Sequence, residues 1–161
     1  MDKHIVTNYD NDLEYIKNMI IEMGVLLEKQ VFQAVELIKV SNKEVNLNII
    51  ETEKKIDISE KKIREFATNT LSRRQPLADD LRKIIVSIKL ATIFERIGDH
   101  STNIANRIEI AKVVPSSYTT DSIYRLGQSV LKNLSQALTA YDQNSEKIAV
   151  YVSNEDKKID L

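Results

Sequence analysis

The chain has 161 residues, 42% of them hydrophobic and 29% charged, with a net charge of -1, a balance that suits a soluble globular protein and offers no basic patch for nucleic acid. It has no cysteine, which excludes a disulfide framework, thiolate metal sites and a cysteine nucleophile. Three glycines and two prolines favour long helices over a turn-rich β fold.

The N-terminal stretch, MDKHIVTNYDNDLEYI, carries acids early and no apolar signal region, and no apolar run approaches the roughly 18 residues of a membrane span. The expected location is the cytoplasm, with no membrane insertion, and His4 is placed in a flexible start. The first helix is predicted from about Asp12 to Val40. Leu13, Ile16, Ile20, Met23, Leu27, Val31, Ala34 and Ile38 recur at three- and four-residue steps, the period of a bundle helix with one buried face. Gly24 interrupts this stripe. A mid-helix glycine costs about 1 kcal/mol against alanine, so another helix is expected to approach closely there.

Ser41 and Glu44 form a candidate capping box for a second helix running to about Arg73. Ile49, Ile56, Ile63 and Phe66 are its expected core positions. A third helix is predicted from Pro76, a residue tolerated in a first turn, with Asp79 and Asp80 complementing the helix dipole. Leu81, Ile84, Ile88, Ala91, Ile97, Ile104 and Ile108 carry its apolar face, and it ends near Val113. Val114 to Ser117 reads as a linker. A fourth helix, capped by Thr119 or Thr120, is expected over about Asp121 to Tyr141, and a fifth from near Asn144 to Leu161.

An offset of 103 positions relates the first two helices to the last two. Ile20 maps to Ile123, Gly24 to Gly127, Gln33 to Gln136, Ala34 to Ala137, and Glu53-Lys54-Lys55-Ile56-Asp57 to Asp156-Lys157-Lys158-Ile159-Asp160. One ungapped offset over some 40 residues points to an internal repeat of three helices, complete over residues 1–114 and partial over 115–161, where about one and a half helices stand. A bundle short of a helix leaves an apolar groove open. Either the chain is a piece of something longer or a partner covers the groove, and self-association into a homodimer or larger homo-oligomer is expected.

Glu53 and Asp57 lie one turn apart on the second helix, as do Glu95 and Asp99 on the third. In an antiparallel hairpin about Pro76, Glu53 and Asp99 are each 23 positions from the turn, and Asp57 and Glu95 each 19. The two acid pairs therefore sit at the same height, although rotation about each helix axis is left open. Two unit charges about 5 Å apart repel by roughly 3 kcal/mol at an effective dielectric near 20, and by less than about 1 kcal/mol in water. A multivalent cation would relieve that repulsion. All-oxygen donors suit hard divalent ions such as Mg, Ca or Mn, and carboxylates also bridge iron. The plainer alternative is a solvated acidic helix surface. Asp156 and Asp160 form a third such pair. Neither histidine completes the Glu-x-x-His of a di-iron bundle, His100 reads as a surface residue, and Ser101 has no evident base. No Gly-rich phosphate loop is present.

Arg74-Gln75-Pro76-Leu77-Ala78-Asp79-Asp80-Leu81-Arg82 resembles the RQPxAxDLR segment of PhoU proteins. Glu95-Arg96-Ile97-Gly98-Asp99-His100, followed by Asn103-Ile104-Ala105, resembles their ERIGDHxxNIA signature, and the opening from His4 to Asp10 and Met23-Gly24 are also similar. The resemblance covers about residues 4 to 161. It implies an all-α PhoU-like fold of two tandem three-helix bundles and metal bound at E/D-xxx-D motifs, here Glu53, Asp57, Glu95, Asp99, Asp156 and Asp160. It also implies a non-enzymatic role beside a phosphate-specific ABC transporter, with the transporter ATPase and a phosphate-sensing histidine kinase as partners, repressing phosphate-starvation genes. The family pattern continues to a second ERIGD-like segment that this sequence lacks. A metal-free helical fragment without regulatory activity is the alternative.

Overall fold

A computed structural model describes the backbone of residues 2–74, 76–111 and 117–159, and the side chains from residue 10 onward except that of Arg74. Among the described residues five helices follow one another: α1 (Asp2–Leu37), α2 (Lys43–Arg74), α3 (Ala78–Ala111), α4 (Ser117–Asp142) and α5 (Glu146–Ile159). Among the described residues there is no strand, and no helix is long and apolar enough to cross a membrane. Helices α1, α2 and α3 pack against one another, α4 packs on α1, and α5 packs on α4.

The apolar stripe of α1 is the spine of the core. Ile20, Met23, Leu27, Val31 and Val35 meet Ile56 and Ile63 of α2 and Ala91 and Phe94 of α3 at the middle of the bundle. Ile16, Ala67 and Ile84 close one end, and Ala34, Leu37, Ile49 and Ala105 the other. The α3 stripe departs from expectation. Leu81 is 38% exposed and Ile104 44%, because the inner face of α3 is built from small residues: Ser87, Ala91, Gly98, Ser101, Thr102 and Ala105. Small side chains bring α3 close to its neighbours and turn Ile104 outward.

Several boundaries shift for local reasons. Helix α1 already includes His4, expected in a flexible start, and stops at Leu37, short of Val40, which is exposed beyond a turn. The cap of α2 is Asn42, not Ser41: its Oδ1 accepts from the amides of Glu44 at 2.9 Å and Val45 at 3.3 Å. Helix α3 begins at Ala78, after Pro76, with the Leu77 carbonyl accepting from the Leu81 amide at 2.9 Å. Helix α4 begins at Ser117, ahead of both threonines expected to cap it. Helix α5 begins at Glu146, after Asn144 takes a positive φ of 49° at the tight turn out of α4. The linker residues Val114 to Ser116 lie outside the described residues, as does Val113.

The crossing of α1 and α4 obeys the 103-residue offset. A Cβ placed on Gly24 would run into Leu138, and one placed on Gly127 would stand 2.8 Å from Val35 Cγ2. Gly24 and Gly127 are one repeat apart, and so are Val35 and Leu138. Each helix thus gives a glycine to the other's branched side chain, which is the close approach expected at Gly24. The two sides differ in tolerance. Leu138 meets the added Cβ with the free end of a flexible side chain, whereas Val35 is β-branched, 5% exposed and stiff at χ1. Gly127→Ala should therefore lower stability by about 1–2 kcal/mol, the overpacking strain exceeding alanine's helix preference of about 1 kcal/mol, and Gly24→Ala should cost less. Urea unfolding of both variants checks the order, and a stabilised Gly127→Ala protein would contradict the crossing.

Candidate functional site

The α2–α3 hairpin brings its acids together. Carboxylate oxygens of Asp57, Glu95 and Asp99 all lie within 4.8 Å of one another. Glu53 adjoins them, since the charges of Asp99 and Asp57 both act on its carboxyl. The height match about Pro76 and the facing rotation of both helices are therefore realised together. What permits the rotation is the small inner face of α3. At Gly98, one residue before Asp99, an added Cβ would stand 3.0 Å from Gln30 Oε1 and 3.6 Å from Ile56.

Behind the acids runs a buried polar link to α1. Gln30 is fully buried. Its Nε2 donates to the Gly98 carbonyl at 3.2 Å and to Thr102 Oγ1 at 2.9 Å. The Thr102 hydroxyl, having accepted from Gln30, hydrogen-bonds the Glu53 carboxylate. The Nε2 end of Gln30 is thus paired twice, while its buried Oε1 has no hydrogen-bond partner among the described residues; losing the Nε2 partners would leave a desolvated donor unpaired as well.

The electrostatics are those of an uncompensated acid patch. The Glu53 carboxyl is held above its ordinary range, first by burial, which the Thr102 hydrogen bond opposes, and then by the charges of Asp99 and Asp57. Glu95 is also raised, first by burial and then by Asp99, Asp57 and Glu60, with Arg96 acting weakly in the other direction. Glu60 itself is buried and paired with Arg64 at 2.9 Å. The donor set is carboxylate oxygen without imidazole or thiolate. It fits hard, multiply charged cations, which bind oxygen ligands and would offset the mutual repulsion.

The third expected pair stands apart. Asp156 is exposed on α5, on the open side of α4 and α5, away from the three converging carboxylates. Asp160 lies outside the described residues. His100 faces the space between α3 and α4, and the Ser101 hydroxyl donates to the Ile97 carbonyl at 2.9 Å. Gln30, Glu60 and Thr102 escaped the sequence reading. The signal for Gln30 was a polar residue set inside the apolar stripe between Leu27 and Val31. That for Glu60 was its place three residues, about one turn, beyond Asp57.

Comparison with known proteins gives a consistent picture. A family model described as the PhoU domain matches residues 20–108. The chain is 34% identical over 157 residues to the phosphate-specific transport system accessory protein PhoU homolog of Zymomonas mobilis, covering 98% of this chain and 66% of that protein. To the Rhizobium meliloti homolog it is 32% identical over 158 residues, covering 98% and 67%. It thus spans about two thirds of the length of these relatives. The crystal structure of PhoU from Pseudomonas aeruginosa superposes with a TM-score of 0.89 at 31% identity, covering 94% of this chain and 73% of that one.

The raised carboxyls set a sign for pH dependence. A group whose folded pKa lies above its unfolded value binds more protons when folded, so stability falls as pH rises through the carboxylate range. In chelator-treated protein at pH 7 the Glu53→Gln/Glu95→Gln variant is expected to be more stable than the parent, by up to about 1 kcal/mol after solvent screening. The gap should close as pH is lowered below the ordinary glutamate range, read as Tm against pH. A variant less stable than the parent at pH 7 would contradict net repulsion.

Proposed function

This chain belongs to the PhoU family, and on that premise we propose that it serves the phosphate-specific transport system as a regulator acting by contact and not by catalysis, with metal held at Glu53, Asp57, Glu95 and Asp99. The observation that carries the reading is the convergence of three carboxylates from two helices onto one point, with a fourth beside them. Two helices tied by a shared cation present a fixed outer face, and neutralising the patch removes the repulsion that would otherwise splay α2 from α3.

The partners that fit are those of a transport accessory protein: the ATPase subunit of the phosphate transporter and the phosphate-sensing histidine kinase, whose output would be held down when phosphate is ample. The relatives named above are accessory proteins of that system. Asp156 and Asp160 belong to the proposal as one half of a second site, whose other half α1 to α5 do not supply. The homo-oligomeric state turns on what covers the open face of α4 and α5.

Elemental analysis tests the metal. Protein purified without chelator should carry tightly held divalent or iron-type ions, and Glu95→Ala/Asp99→Ala should lose them while keeping its helical circular dichroism. An unchanged metal content in that variant would overturn the assignment of these residues, and a metal-free parent protein would leave a structural fragment as the better description. Pull-down of the transporter ATPase with the parent and not with the metal-depleted protein would bear on the regulatory half.

A further inference from the structure

Hydroxyl side chains inside these helices commonly turn back on their own backbone. Thr52, Thr70, Ser87, Thr92 and Ser101 each donate to the carbonyl four residues earlier, at 2.8–3.2 Å. For Thr102, one position beyond Ser101, that carbonyl is the one of Gly98. Gln30 of α1 reaches both groups: its Nε2 donates to the Gly98 carbonyl at 3.2 Å and to Thr102 Oγ1 at 2.9 Å. With amide protons arriving at the carbonyl and at Oγ1, the hydroxyl proton is directed to its other neighbour, the Glu53 carboxylate.

Packing alone does not call for an amide at this place. Gln30 is fully buried within the apolar stripe of α1, with Leu27 and Val31 on either side of it in sequence. Its Oε1 is buried without a hydrogen-bond partner among the described residues. An unpaired buried acceptor is destabilising, and an apolar side chain of similar length would avoid it. What the amide does, and methionine could not, is hold Thr102. Thr102 in turn bears on the acid that needs holding. Asp57, Glu95 and Asp99 converge within 4.8 Å, Glu53 joins them against the charges of Asp99 and Asp57, and the Thr102 hydrogen bond opposes that repulsion. A departure from simple core packing that ends on a carboxylate cluster is of the kind that gathers at functional sites.

We propose that Gln30 and Thr102 are positioning residues for the cation held at the acid patch. Helix α1 supplies none of the four carboxylates. Through Gln30 it nevertheless fixes the direction of the Thr102 hydroxyl, and through Thr102 the place of Glu53. The affinity for a divalent cation therefore depends on a third helix as well as on the two that carry its oxygen donors. This rests on the reading of the patch as a metal site, with Gln30 and Thr102 outside the donor set.

Mn2+ titrated into the chelator-treated full chain, with free Mn2+ read by electron paramagnetic resonance, tests this. Thr102→Val removes the hydroxyl at nearly constant shape. It should weaken Mn2+ binding at least about tenfold, the usual loss for a group that orients a metal ligand, with the number of ions bound unchanged. Thr102→Ser keeps the hydroxyl and should restore most of the affinity. Gln30→Met should also weaken binding while leaving the Tm of the metal-free protein at or above that of the parent, since the unpaired acceptor is gone. A merely structural glutamine would show the reverse, a lower Tm and unchanged affinity. In the Thr102→Val background Gln30→Met should add little, because both act through one hydroxyl.

Parent affinity in Thr102→Val would overturn the proposal. So would equal losses in Thr102→Val and Thr102→Ser, or full additivity of Gln30→Met and Thr102→Val. Failure of the metal reading shows differently: the parent itself then takes up no Mn2+. The placement of Glu53 is in that case decided on metal-free protein. Thr102→Val should lower Tm in the parent and by less in a Glu53→Leu background, and equal losses in the two backgrounds would overturn it.

Discussion

Helix axes in proteins usually lie about 8–10 Å apart, and a nearer approach needs something small at the crossing. This chain has three glycines, and all three stand at such crossings. Gly98 brings α3 against Gln30 of α1 and Ile56 of α2, while Gly24 and Gly127 bring α1 and α4 together. The rest follows from these approaches. With α3 drawn inward by Gly98 and its neighbouring Ser, Thr and Ala residues, Asp99 turns toward Asp57 and Glu53 instead of away from them. With α4 drawn onto α1, Leu134 and Leu138 join the central core.

At the acid patch the fold works against itself. Burial and like charge both raise Glu53 and Glu95, and Arg96 offsets part of the rise at Glu95. A sequence whose local choices otherwise agree with its fold tends to break that agreement at a functional site. Here the break is supported from behind by Gln30 and Thr102, which hold Glu53 where its neighbours repel it. Removing that support would relax the patch without changing its charge.

The hairpin was legible because it needs only two quantities: where the chain turns, and that both helices rise equally per residue. Pro76 marked the turn, and level pairs followed from counting outward. Rotation about each axis needs the size of every inward side chain, and no spacing rule gives that. Hydrophobicity points Leu81 and Ile104 to the core, yet both stand exposed, while Ser87, Ser101 and Thr102 lie buried because they are small. Gln30 was passed over for the same reason, since its place is set by what it reaches on α3. The helix ends slipped by a few residues where two capping side chains competed, as at Ser41 and Asn42. On the second half, the offset pairs Asp156 with Glu53 by position alone, and no spacing rule supplies a helix to face it.

The reciprocal placement of Gly24 with Leu138 and of Gly127 with Val35 has the form of an isologous contact, in which one surface meets a copy of itself. Between separate molecules such a contact would come apart on dilution. Here both copies belong to one polypeptide, so the second is always present at the high local concentration that a short tether imposes. The halves therefore stay paired however scarce the protein is in the cell, and each is free to accumulate changes that a self-matching surface on identical subunits would have to suffer twice.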